Sequence, residues 1–182
     1  MNPMSLQQWV DEFLAISRQQ WLLRLVVVIS PVAAVLAAAA ATGRWWTFGL
    51  LMVAILATAS AIRPDTHTAL GVVLLIVWYW SGRIDAVDTP WLPVAGICLL
   101  VFHSVVALSA TIPAGGEVAR ATLGNWLRRT ALGGGATLGM WVLVVVFDRG
   151  DAAGNGGLTA LALVVVFGAV VLVWSRSIDP TQ

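Results

Sequence analysis

The sequence predicts an all-α, polytopic membrane protein: a bundle of six transmembrane helices preceded by an amphipathic helix at the membrane surface. Of its 182 residues, 59% are hydrophobic and only 10% are charged, and the mean hydropathy is +0.89. Soluble domains carry about 25% charged and 45–50% apolar residues. The excess of apolar residues indicates that lipid surrounds most of the chain. The formal net charge of +1 gives no reason to expect nucleic-acid binding.

Apolar blocks follow one another along the chain, and each is predicted to form one membrane-spanning helix. Crossing a hydrocarbon core takes roughly 20 residues. The blocks are 22–42, 45–62, 67–82, 91–112, 130–147 and 158–174. The third is the shortest, because its uninterrupted apolar run from Ala69 to Trp80 has 12 residues. Together they predict one transmembrane domain, 21–175, followed by a cytoplasmic tail, 176–182.

The arginines decide how the third block is interpreted and which way the protein faces. With six spans, seven of the ten basic residues lie on the side of the two termini and three on the opposite side. If the third block did not cross, the two sides would hold five each. Because cytoplasmic loops are enriched in Arg and Lys, the sequence predicts six spans in the bacterial inner membrane, with both termini in the cytoplasm.

Two segments are predicted to lie on the cytoplasmic membrane surface. In residues 1–20, apolar side chains recur at helical spacing on one face, which is typical of an amphipathic interfacial helix. In residues 116–129, which follow a Pro and Gly break, Arg120, Arg128 and Arg129 are expected among anionic lipid headgroups. Each segment either anchors the neighbouring spans or docks a cytoplasmic partner.

The polar stretch IRPDTHTAL, residues 62–70, predicts a capped turn between the second and third spans. Pro64 disfavours a helical conformation at Arg63, and Asp65 or Thr66 can cap the helix that follows. His67 is not needed for the turn or for the cap. A functional Asp65–His67 pair is therefore the alternative interpretation.

His103 is the one ionisable side chain predicted near the middle of the membrane, about halfway along the fourth block. Because no carboxylate lies within any span, we expect a neutral imidazole that is hydrogen-bonded to a neighbouring helix. One possible acceptor is the backbone carbonyl left unpaired by Pro31 in the first span. A proton relay, a metal ligand or a transport role is the alternative.

The common motifs of enzymes and metal sites are absent from the sequence. It contains no P-loop, no H-E-x-x-H motif, no nucleophile elbow and no Cys/His cluster, and the single Cys98 has no disulfide partner in the chain. Asp85 and Asp88 form one D-x-x-D motif where prenyl-transferring enzymes use two, and residues 148–157 lack the spacing of a calcium loop. We therefore expect no catalytic residues, no cofactor and no metal.

A stripe of small residues in the fifth block predicts close helix packing. Ala131, Gly135 and Gly139 are spaced four apart, so they share one face of a helix and let another helix approach closely. The pattern does not say whether that neighbour belongs to the same chain or to another subunit.

Residues 60–132 contain the segments RPDTHTAL, WYW and VFHSVVALSATIPAGGEVARATLGNWLRRTAL. In these segments the chain resembles a group of small actinobacterial multi-pass membrane proteins. That group is associated with gene neighbourhoods encoding MoxR-type AAA+ ATPases and their von Willebrand-domain membrane partners. The resemblance implies an accessory membrane protein of such a system, and it supplies no catalytic residues.

These observations predict a non-enzymatic membrane protein that scaffolds or anchors membrane or cytoplasmic partners. The first alternative is a small transporter or channel subunit that uses His103 and the glycine face of the fifth span. The second is an enzyme that modifies membrane lipids. A water-filled path to His103 would favour transport, whereas a dry bundle with an apolar outer groove would favour scaffolding.

Overall fold

The computed structural model describes residues 17–64, 67–84, 88–112, 116 and 118–149. Within these ranges the chain is all-helical, as predicted, and contains no strand. Its helices are α1 (Arg18–Thr42), α2 (Thr47–Ile62), α3 (Thr68–Arg83), α4 (Trp91–Ala110) and α5 (Arg120–Arg149). The chain divides into two compact units, Met1–Trp141 and Val142–Gln182, and the described part of the second unit is the end of α5.

Three of the described helices are long and apolar enough to cross a membrane: α1, α4 and the Arg120–Val146 part of α5. The apolar helices α2 and α3 have 16 residues each, or about 24 Å at 1.5 Å per residue. The structure thus supports a membrane protein, while the predicted number of six spans exceeds the three found. The predicted helix up to residue 16, the sixth block and the tail lie outside the described residues.

The core of the first unit forms where α1 packs lengthwise against α4. Phe102 of α4 is fully buried in the same cluster as Val27, Ala34 and Ala38 of α1. The alanines keep that side of α1 narrow, so the two backbones can approach closely. Pro31 is also buried, and α1 continues as one helix through it.

Helices α2 and α3 form an antiparallel hairpin beside α1. At one end of the hairpin, the hydroxyl oxygens of Ser60 and Thr68 are 2.8 Å apart and share a hydrogen bond. At the other end, the rings of Trp46 and Tyr79 stack with centroids 4.1 Å apart and 6° between their planes. These two contacts show that α3 runs back along the whole of α2. The third block, the shortest in sequence, is therefore as long as its partner helix.

The start of α1 is tied to the segment that connects α4 with α5. Ser17 caps α1 by accepting a hydrogen bond from the backbone N–H of Gln20 at 3.3 Å. Gln19 Oε1 accepts from the backbone N–H of Val118 at 3.0 Å, and Gln20 Nε2 donates to the carbonyl of Ile112 at 3.5 Å. These side chains satisfy backbone groups that the helix ends leave unpaired.

These contacts define two ends of the bundle. The Ser17 end holds the start of α1, the α2–α3 turn and the end of α4. The Arg44 end holds the α1–α2 turn, the end of α3 and the start of α4. Residues 17–20 thus share one end with the α2–α3 turn, Ile112 and Val118, which is the grouping that the six-span prediction uses.

Helix α5 differs from the prediction at its start. The sequence predicts a surface segment up to residue 129 and a span from 130, whereas the structure has a single helix of 30 residues that begins at Arg120. Its length is about 45 Å. Residues 120–129 contain no proline and only one glycine, Gly124, so nothing in them ends a helix. The surface segment and the predicted span thus belong to one continuous helix, and the predicted start of the span at residue 130 stays a prediction.

Candidate functional site

Helix α5 runs antiparallel to α4 and meets it along a narrow strip. The indole N–H of Trp126 donates a hydrogen bond to the carbonyl oxygen of Ser104 at 3.2 Å. Further along, a Cβ added at Gly133 would lie 2.9 Å from the side chain of Leu100, closer than real Cβ contacts allow. A side chain at position 133 would therefore require the end of the Leu100 side chain to move, and glycine leaves it in place.

Three pairs of contacting residues fix which positions of α4 and α5 are level: Ser104 with Trp126, Leu100 with Gly133, and Gly96 with Thr137. Interpolation between these pairs places Arg128 and Arg129 level with His103, about 10 Å from the end of α4. Sequence reasoning missed this relation because it assigned both arginines to a cytoplasmic surface segment.

The opposite side of α5 carries the predicted stripe of small residues. At about 100° per residue, Ala131, Gly135 and Gly139 lie across the helix from the face that meets α4. All three are exposed, and a Cβ added at Gly135 or Gly139 would meet no described atom within 4 Å. The stripe packs against nothing in the described part of the chain. Its role in helix packing stays a prediction, directed at a neighbour other than α4.

The same line of residues continues toward the start of α5, and all of its members are exposed. We call it the open row, and it consists of Gly124, Arg128, Ala131, Gly135 and Gly139. Arg128 of this row lies level with His103 of α4. In hydrocarbon a cation at this position has an unfavourable free energy unless its side chain extends to the headgroups or pairs with an acceptor.

The three arginines predicted at the interface do not share one depth. Arg120 begins α5 at the Ser17 end, and Arg128 and Arg129 lie about 12 Å further along the helix axis. All three are exposed, and none has a hydrogen bond or ion pair among the described residues. The expected position of all three among lipid headgroups stays a prediction.

His103 lies on the outer surface of α4, with its side chain exposed. It forms no hydrogen bond within the described ranges, so the expected bond to a neighbouring helix is absent there. The reason is rotational. The face of α4 that meets α1 is formed by Phe102, Val105 and Val106, and His103 is turned away from it. Pro31 is buried in α1, behind that face.

The polar turn between α2 and α3 is closed by the hydrogen bond between Ser60 and Thr68. His67 is exposed at the N-cap position of α3, and its side chain makes no capping hydrogen bond. Asp65 and Thr66 lie outside the described residues, so the Asp65–His67 pair and the predicted cap both stay predictions.

Two open clefts lie at the Arg44 end. The first has a volume of about 360 Å³, lies between α3 and α4, and is lined by Val77, Trp80, Ser81, Ile84, Leu92, Ala95, Gly96 and Leu99. The second has a volume of about 600 Å³ and is lined by Ala41, Thr42, Arg44, Trp45, Trp46, Tyr79, Arg83 and Ile84. Ile84 borders both clefts. His103 lines neither of them.

Comparison of the chain with protein-family models, with curated proteins and with solved structures found no match. The resemblance to the actinobacterial group therefore stays a prediction. Among the residues that the structure describes, no cluster of three or more His, Cys, Asp or Glu side chains could hold a metal ion. Function has to be argued from the open row, the two clefts and the position of the cations.

Proposed function

We propose that the protein is a non-enzymatic scaffold of a bacterial inner-membrane complex, and that the open row of α5 binds a transmembrane helix of a partner protein. The exposure of this row carries the proposal. Small residues let another helix come close, and no described helix of this chain occupies the space above Gly135 and Gly139. Lipid alone gains nothing from a glycine face, whereas a second helix gains close van der Waals contact and interhelical hydrogen bonds.

Arg128 indicates that the partner helix carries a polar or acidic group. Its guanidinium belongs to the open row and lies level with His103, well inside the end of α4. A cation at this level is stabilised by a carboxylate or by backbone carbonyls of a neighbouring helix. We therefore infer a partner helix with a small-residue face and an acidic or amide side chain near the level of Arg128.

The proposal takes all six apolar blocks as spans, with both termini in the cytoplasm. Two observations support it: α3 runs along the whole of α2, and residues 17–20 share the Ser17 end with the α2–α3 turn, Ile112 and Val118. Once Arg24, Arg128 and Arg129, which lie well inside α1 and α5, are left out, the remaining arginines are four to three in favour of the same side.

A MoxR-type ATPase system is the partner that the resemblance over residues 60–132 implies. That range includes the start of α5 and therefore part of the open row. The membrane component of such a system would be the part that meets α5, and the ATPase would act from the cytoplasmic side.

Transport through the chain has less support. The cleft between α3 and α4 is lined mainly by apolar side chains, and His103 borders neither cleft. An apolar outer groove favours a scaffold over a transporter that moves a polar solute through its own bundle.

Purification in mild detergent followed by mass spectrometry tests the proposal. The comparison is between wild type, Gly135→Leu and the control Ala136→Leu, which adds the same side chain at an exposed position about 100° away around α5. We expect one membrane protein to co-purify stoichiometrically with wild type and Ala136→Leu and to be lost with Gly135→Leu. No such protein with wild type, or equal recovery with all three, would refute the proposal.

A further inference from the structure

We propose that the Arg44 end binds one glycerophospholipid with an anionic headgroup. Its phosphate lies at Arg44 and Arg83, and one acyl chain fills the cleft between α3 and α4. The lipid is a bound component of the protein, distinct from the surrounding bilayer. This inference is independent of the partner proposed for α5, because it concerns other helices and the opposite end of the bundle.

The wider cleft provides the charge that a phosphate requires. Arg44 follows the end of α1 and Arg83 ends α3, and both side chains line this cleft. Neither guanidinium has a hydrogen bond or ion pair among the described residues. Guanidinium groups bind phosphate through paired, charge-assisted hydrogen bonds, and two that line a single cleft suit one phosphodiester.

The aromatic wall of the same cleft is rigid. Trp46 stacks on Tyr79, and its indole lies directly over Gly49, where there is no room for a Cβ. Amphipathic rings of this kind prefer the headgroup level of a membrane. The phosphate would therefore lie at its usual depth, and the stack would hold the cleft open without a rearrangement.

The narrower cleft provides the apolar continuation. It shares the lining residue Ile84 with the wider one and extends two turns along α3 to Val77, about 10 Å from Ile84. Trp80 forms part of its wall, and its buried indole N–H has no hydrogen-bond partner among the described residues.

The lining of the narrower cleft favours a hydrocarbon chain as its occupant. The cleft has a volume of about 360 Å³, and Ser81 is the one hydroxyl-bearing side chain among the residues that line it. An apolar cleft of this kind suits a flexible acyl chain. The neighbouring cations select an anionic lipid over a zwitterionic one.

Native mass spectrometry of the full-length protein in detergent tests the proposal. The delipidated protein is titrated with phosphatidylglycerol and, separately, with phosphatidylcholine. The variants are Arg44→Gln, Arg83→Gln and Trp80→Phe. Two matched controls are Arg120→Gln, an exposed arginine at the opposite end, and Trp78→Phe, an exposed tryptophan that lines neither cleft.

We expect one phosphatidylglycerol per chain, bound more tightly than phosphatidylcholine. Arg44→Gln and Arg83→Gln should each weaken phosphatidylglycerol binding about tenfold and leave phosphatidylcholine binding unchanged. Trp80→Phe should weaken both lipids, because Trp80 lines the cleft that holds the acyl chain. Inorganic phosphate in large excess should not displace the lipid. Equal affinity for both lipids, a loss as large with the controls, or displacement by phosphate would overturn the proposal.

Discussion

The indole N–H of Trp126 in α5 donates a hydrogen bond to the backbone carbonyl of Ser104 in α4, at 3.2 Å. This bond joins two helices that otherwise meet along a narrow strip, and it sets their register. The register in turn places Arg128 and Arg129 level with His103. The depth of the cations, and with it the argument for a polar partner, depends on this contact.

Replacing Trp126 with Phe should lower the stability of the bundle by about 1 kcal/mol, because the ring is kept and one interhelical hydrogen bond is lost. Thermal unfolding in detergent measures the effect. Trp45→Phe is the control, since Trp45 is 74% exposed and lies at the Arg44 end. Equal unfolding temperatures for Trp126→Phe and wild type would show that the bond does not hold α5 in place.

Gly133 and Gly135 of α5 should respond differently to the same substitution. Gly133→Leu should destabilise the bundle by about 1–3 kcal/mol, because Leu100 of α4 occupies the space that the new side chain needs. Gly135→Leu should leave the unfolding temperature unchanged, because its side chain enters open space. The two variants, purified side by side, separate internal packing from partner binding. A large loss of stability with Gly135→Leu would mean that the open row packs within the chain.

Substitution of His103 should leave the stability of the protein almost unchanged. Its side chain is exposed and unbonded, so His103→Gln and His103→Leu should each change the free energy of unfolding by less than about 0.5 kcal/mol. The sequence alone predicts a larger loss for Leu, because it places the imidazole in an interhelical hydrogen bond. A His103→Gln protein that folds and inserts but is inactive in cells would favour the proton-relay or transport interpretation.

The third span has a direct topological test. His67 and Asp88 are exposed on either side of α3, so His67→Cys and Asp88→Cys in a Cys98→Ala background report whether α3 crosses. An impermeant maleimide applied to intact cells should label position 88 and not position 67, because the α2–α3 turn is predicted on the cytoplasmic side. Arg120→Cys should also stay unlabelled. Labelling at both 67 and 88 would mean that α3 does not cross.

Hydrophobic blocks and turn residues predicted four helices to within a few residues at each end. The start of α2 after Gly43, which has a left-handed φ of 64°, and its end before Pro64 follow from local chain chemistry. The continuous α5 did not follow, because the arginine pair within it was interpreted as a loop.

The rotation of each helix was harder to predict than its bounds. Residues 133–135 are consecutive glycines, so each of three faces of α5 carries a small residue, and the spacing alone does not say which face meets α4. His103 shows the same limit, since its position along α4 is evident from sequence and its direction is not. The clefts at the Arg44 end depend on how three helices are spaced, which no single segment encodes.

Photo-crosslinking from the flanks of the open row in native membranes tests the central claim most directly. A photoreactive residue at Leu132 or Leu138, both exposed on α5, is compared with one at Leu51, an exposed residue of α2. We predict a discrete protein adduct from positions 132 and 138, its loss when Gly135→Leu is added, and no protein adduct from position 51. Absence of an adduct at all three positions, or an adduct of equal yield from position 51, would contradict the account, and an adduct of twice the chain's mass would replace the partner with a second copy of this protein.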